Sequence, residues 1–218
     1  MMRRWLACLS VLGVLALAGC ATSTRVDYTA YKASRPRSIL VLPPVNESPD
    51  IKATYGMLSQ VTLPLAESGY YVLPVALVDE TFRQNGLTAP NDIQSVPPPK
   101  LQEIFGADAA LYITVSEYGV KYQVVQSAAI VSASAKLIDL KTGDTLWTGS
   151  AKASSAESGN NNKGGIFGML IGALLTQIIN TAADVSFDVA GITANRLLFA
   201  QQPAGLLYGP RSPKYQSD

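Results

Sequence analysis

The first twenty residues, MMRRWLACLSVLGVLALAGC, constrain the fold more than any other feature, because they decide which part of the chain is left to fold. Arg3 and Arg4 form a basic start. An apolar stretch follows from Trp5 to Leu17, broken only by Ser10 and Gly13, and ends in the small residues Ala18 and Gly19. A basic start, a short apolar core and small residues before a cut describe a secretory signal over residues 1–19. The apolar run falls short of the ~20 residues that a spanning helix needs. Cleavage after Gly19 leaves 199 residues, 20–218, in which 15 basic side chains face 16 acidic ones. A net charge of −1 with no basic run in the sequence gives no electrostatic case for nucleic acid. The length suits one domain with a real core.

The end of the signal is more specific. Leu17-Ala18-Gly19-Cys20 resembles the lipobox of bacterial lipoproteins. The resemblance implies that the Cys20 thiol carries a diacylglyceryl group and that its amine takes a third acyl chain, typically palmitate. One chain anchors weakly and two or more hold firmly, since each buried methylene contributes about 0.8 kcal/mol. Cys8 leaves with the signal and Cys20 is taken by lipid, so the mature fold has no cysteine for a disulfide. Residue 21 is Ala and not Asp. Likeness to sorted lipoproteins then implies the outer membrane, on its periplasmic or its outer face.

Residues 20–37 are polar and aperiodic, and read as a lipidated tether. The domain opens at Ser38, and Ile39-Leu40-Val41-Leu42 suits a strand buried on both faces. Ser48 and Pro49 carry helix-start chemistry. Ile51, Tyr55, Leu58, Val61 and Leu65 then recur as one helical face, with a kink or last turn at Pro64 and a stop at Gly69. A strand over 70–73 follows, then a helix with Val75, Val78 and Phe82 inward, ending at Asn85-Gly86. Residues 87–99 read as a loop. A helix from Lys100 to Phe105 should bury Leu101, Ile104 and Phe105, and Gly106 should end it.

Strands over 109–115, 121–140 and from 145 onward, with a turn at Lys141–Asp144, form an antiparallel meander in which Trp147 is core. Residues 156–165 read as a flexible loop, 166–200 as helical, and 203–218 as an irregular tail. The expected fold is therefore a single α/β domain over 38–202: a mixed sheet begun by βαβα units, finished by a meander and covered by C-terminal helices.

One internal segment is singled out by composition. A glycine-rich helix is expected over 164–180, where Gly164, Gly168 and Gly172 share a face at four-residue spacing. Glycines there allow close approach of a second helix. Three readings stay open: a helix packed on the sheet, a subunit interface, or membrane insertion. Exposed interior glycines cost about 1 kcal/mol each relative to Ala, which argues that something packs tightly on that face.

Chemistry is otherwise sparse. With no histidine in the chain there is no Ser-His or Cys-His nucleophile and no imidazole metal ligand. The segment Gly159–Gly165 has the wrong spacing for a phosphate loop, and Asp79-Glu80 are adjacent and so do not share a helical face. No catalytic, cofactor or metal residue is expected.

Two stretches carry a resemblance at the family level. Ser38-Ile-Leu-Val-Leu-Pro-Pro44, and Ala107–Val115 with Ala135–Trp147, are similar to the periplasmic α/β domain shared by curli-secretion lipoproteins and the TolB N-terminal domain. Over its full length the chain resembles a neisserial lipoprotein family of unknown function, known as a genome-derived surface antigen and vaccine candidate. That resemblance implies a TolB-like fold, attachment through Cys20, homodimers and envelope-protein partners, with no catalytic residues. The expected function is non-enzymatic, as a subunit of an envelope assembly or transport complex. The alternatives are an oligomeric secretion pore and, less well supported, an envelope hydrolase. Residues 121–137 do not alternate cleanly in sequence, which argues against a curli-type pore strand pair.

Overall fold

The computed structural model describes residues 26–121, 127–159, 185–200 and 204–217. The signal 1–19, Cys20 and the glycine-rich segment 164–180 lie outside the described residues. In chain order the elements are α1 (Thr29–Ser34), β1 (Ser38–Val41), β2 (Val45–Asn46), α2 (Ala53–Gln60), α3 (Thr62–Glu67), β3 (Tyr71–Val72) and α4 (Val75–Gln84). Then come α5 (Pro90–Gln94), α6 (Pro98–Phe105), β4 (Ala109–Lys121), β5 (Ala128–Asp139), β6 (Thr145–Ser154), a short 3-10 turn (Ser155–Gly159) and α7 (Val185–Leu198).

One sheet runs in the order β3-β1-β4-β5-β6, with β2 paired to β4. β1 is parallel to both β3 and β4, while β4, β5 and β6 form the antiparallel meander. The apolar run in and just after β1 is divided between two layers. Ile39 and Val41 join the core under α1, α2, α3 and α7, where Tyr31, Met57, Leu65 and Val189 are buried. Leu40 and Leu42 join the core under α4, α5 and α6, with Val78, Phe82, Ile93 and Leu101. This is the α/β fold with a mixed sheet and a C-terminal helix expected from the sequence. Trp147 is core, and Pro64 lies just beyond the break between α2 and α3.

Several local expectations are corrected. The tether is shorter than 20–37, because α1 buries Tyr31 and belongs to the domain. Ser48 is not a helix cap: its hydroxyl donates to Asn46 Oδ1, and α2 starts only at Ala53. The helical phase moves accordingly. Ile51 and Tyr55 are 91% and 53% exposed, and Ala53, Thr54 and Met57 turn inward beside Leu58. The loop over 87–99 contains α5, which buries Ile93. Ile104 faces water, while Leu101 is buried. The 156–165 loop opens with the 3-10 turn.

β5 also departs from its reading, because every second residue from Ala129 to Leu137 is buried under the α7 layer. The tail is irregular in secondary structure but not loose. Leu206 and Leu207 are buried, and Gly209 N–H donates to Ser68 O.

Candidate functional site

The two ends of the described chain meet. Tyr28 Oη donates to Gly205 O at 2.6 Å, and Trp147 Nε1 donates to Ala204 O at 2.9 Å. Inside this joint the Tyr70 hydroxyl donates to Leu207 O at 2.6 Å and lies 2.8 Å from the Tyr31 hydroxyl. Tyr70 has one proton to give and Leu207 O takes it, so Tyr31 donates to Tyr70. The tail then crosses Gly69, whose φ of +96° and contact with the Ser212 backbone leave no room for a side chain.

Between α1 and this tail lies a hollow of about 230 Å³. Tyr31, Tyr70, Tyr208 and Tyr215 supply aromatic wall, and Lys32 and Arg35 supply cationic rim. Further cations follow the same seam: Lys214 lies 5.4 Å over the Tyr208 ring and Arg211 5.2 Å over the Tyr71 ring. Arg37 adjoins them, its carbonyl accepting from Tyr71 N–H. Among the described residues, no carboxylate forms an ion pair with Arg35, Arg37, Arg211 or Lys214. Arg35 and Gln216 both line this hollow, and they are the non-glycine residues at positive φ among the described residues, at 47° and 63°.

A second hollow, about 270 Å³, lies beside the β4 bulge between Pro49, Glu117 and Ile130. It gathers one carboxylate, which already holds Lys121 and Lys152. Those hydrogen bonds keep Glu117 below the usual carboxylate range. The first hollow offers the more distinctive chemistry, because Arg35, Arg37, Arg211 and Lys214 gather along it and form no ion pair with a described carboxylate.

Sequence reading missed this site. Its walls come from residues 31–36, 70 and 207–216, which only the fold brings together. One signal was present: four of the ten tyrosines, at 31, 70, 208 and 215, lie in these segments, and those at 28 and 71 flank them. Of the residues expected to act, Cys20, Gly164, Gly168 and Gly172 lie outside the described residues. Among the described residues no group of three or more His, Cys, Asp or Glu is placed to hold a metal ion. No described helix is long and apolar enough to cross a membrane.

These features define a small layered α/β domain whose chain ends are joined beside a polar pocket. The family model described as "Putative lipoprotein GNA1162-like" matches residues 26–211, and the chain belongs to that family. It is 48% identical over 205 residues to "Putative lipoprotein NMB1124/NMB1162" of Neisseria meningitidis serogroup B, covering 93% of this chain and 94% of that one. The crystal structure of lipoprotein GNA1162 from Neisseria meningitidis superposes with a TM-score of 0.53 at 51% identity, covering 67% of this chain and all of that one. A remoter likeness, at 14% identity and a TM-score of 0.44, is to a PelC dodecamer from Paraburkholderia phytofirmans, over 79% of this chain and 93% of that one. The family resemblance read from the sequence is thus borne out, and that family is described as one of putative lipoproteins.

Proposed function

We propose that this protein is a non-enzymatic outer-membrane lipoprotein, anchored at Cys20, that acts through protein contacts as a subunit of an envelope assembly or transport complex. The observation that carries this reading is the exposed pair Ile51 and Tyr55, four residues apart at the start of α2. Tyr55 Oη lies 3.4 Å from Asp79 Oδ2 there, and Ile51 is 91% exposed. Single apolar residues on a surface are ordinary. Tyrosine is among the side chains enriched at interface hot spots, and Ile51 adds a large apolar side chain four residues away.

Photocross-linking from position 51 in the lipidated protein tests the reading. We expect a discrete set of envelope-protein adducts that Tyr55→Ser depletes, with an unfolding free energy unchanged within the roughly ±0.5 kcal/mol typical of surface changes. A smear of adducts indifferent to Tyr55 would sink it.

The anchor has its own test: Cys20→Ser should abolish lipid labelling and leave an uncleaved precursor. The homodimer is proposed to form through the face of Gly164, Gly168 and Gly172. Gly168→Leu should then halve the sedimentation mass of the lipid-free chain. The contact reading is also favoured over a secretion pore by β5, whose alternating face is spent on α7 and the core.

A further inference from the structure

The pocket between α1 and the tail has a location as well as a chemistry. Tyr28 is eight residues from Cys20, and an extended chain of that length spans at most about 30 Å. Any lipid on Cys20 therefore holds this end of the domain, with its cations and tyrosines, close to the headgroups.

We propose that Lys32, Arg35, Arg37, Arg211 and Lys214 dock the domain on an anionic phospholipid surface, and that the tyrosine-walled hollow seats one phosphate-bearing headgroup. Three observations support this. Arg35, Arg37, Arg211 and Lys214 are exposed and have no carboxylate partner among the described residues, so their charge is open to an external anion. The hollow, at about 230 Å³, falls below the ~300–1,000 Å³ of drug-sized ligand sites and suits a headgroup. Its rim also carries backbone strain. Arg35 and Gln216 sit in the left-handed region, where a side chain costs roughly 1–2 kcal/mol and where glycine would be free of strain. At Arg35 this conformation ends α1, with the Arg35 N–H donating to Tyr31 O, and so fixes where the side chain leaves the helix at the pocket mouth.

This inference rests on the lipid-anchor reading only for the distance to the membrane, and the assay is independent of it. The mature chain with Cys20→Ser, exported behind a non-lipoprotein signal, is titrated with phosphatidylcholine vesicles, with or without phosphatidylglycerol. We expect binding only to the anionic vesicles, weakening as salt is raised. Each cation removed should lower the partition about fivefold, so Arg35→Gln with Lys214→Gln should lower it roughly 25-fold.

Tyr208→Ala, which leaves the charge unchanged, should also weaken binding. Arg35→Gly should move two readouts in opposite directions, raising the melting temperature while lowering vesicle binding. Equal partition to neutral and anionic vesicles would overturn the proposal, and so would binding indifferent to Arg35 and Lys214. Glycerol phosphate in solution is the second probe. If it shifts the tyrosine signals while anionic vesicles leave the protein unbound, the hollow takes a free phosphate ligand and membrane docking is overturned. If Cys20 proves unacylated in cells, the anchor reading fails while the vesicle result stands.

Discussion

Asp139 shows how a buried carboxylate can hold two distant pieces of chain together. It is 7% exposed. Ser34 Oγ donates to it at 2.5 Å, and the Lys141 and Thr142 N–H groups donate to its other oxygen at 2.8 and 2.9 Å. Burial pushes its pKa up, but these donors favour the charged form and hold it below the ordinary carboxylate value. The sign of the pH effect follows. The contribution is complete above about pH 4, the unfolded value, and is lost as the pH falls through the lower native value. Asp139→Ala should cost on the order of 2–3 kcal/mol at neutral pH, since it strands two backbone donors and a hydroxyl. The cost should shrink in acid, as read from urea melts across pH 2–7. The glycines offer a graded contrast. Gly69→Ala meets the Ser212 backbone as well as a positive φ, whereas Gly86, at φ +82°, faces open space. Gly86→Ala should cost only the left-handed penalty of roughly 1–2 kcal/mol, and Gly69→Ala clearly more.

The elements divide by how local their determinants are. β1 was legible because four consecutive apolar residues admit little but a strand covered on both sides, and α4 because Val78 and Phe82 keep helical spacing. The phase of α2 was not. Side-chain bonding between Ser48 and Asn46 delays the helix to Ala53, which turns Ile51 and Tyr55 outward. β5 hid its alternation because Ala and Ser are both small, so Ala129, Ala133 and Ala135 inside differ little in the sequence from Ser132 and Ser134. The docking of α1 and the tail was illegible for another reason: Tyr31–Tyr70 and Tyr70–Leu207 join residues 39 and 137 positions apart. Tyr70→Phe leaves the buried Leu207 carbonyl without that donor, and should cost about 1–3 kcal/mol in denaturant unfolding. Removing 204–218 takes away the partner of Trp147 Nε1. Trp147 is the one tryptophan left after the signal, so its emission should shift to the red.

At the scale of the molecule, the meander leaves one face to water beyond the buried Ala110 and Tyr112. Thr114, Ser134, Lys136 and Lys152 lie there, and Lys152 reaches Glu117 across β5 at 2.5 Å. Such exposed pairs contribute little, so stability rests on the two cores that the sheet separates. Because α1 and the tail share buried residues with the larger core, the described domain should melt as one unit. Trp147 fluorescence and far-ultraviolet circular dichroism should give coincident transitions, and a separate early phase in the fluorescence would contradict this. The seam where the chain ends meet has a mechanical consequence. A membrane tether pulls from the N-terminal side, so load from a drifting partner enters at α1. The tyrosine hydroxyl relay and the crossing at Gly69 lie in its path before the strands do. Forced rupture depends on the barrier to opening and not on overall stability. Tyr70→Phe should therefore lower the rupture force of the tethered domain by more than its modest effect on equilibrium unfolding suggests. In that sense the joined ends are a strain relief between the anchor and the sheet.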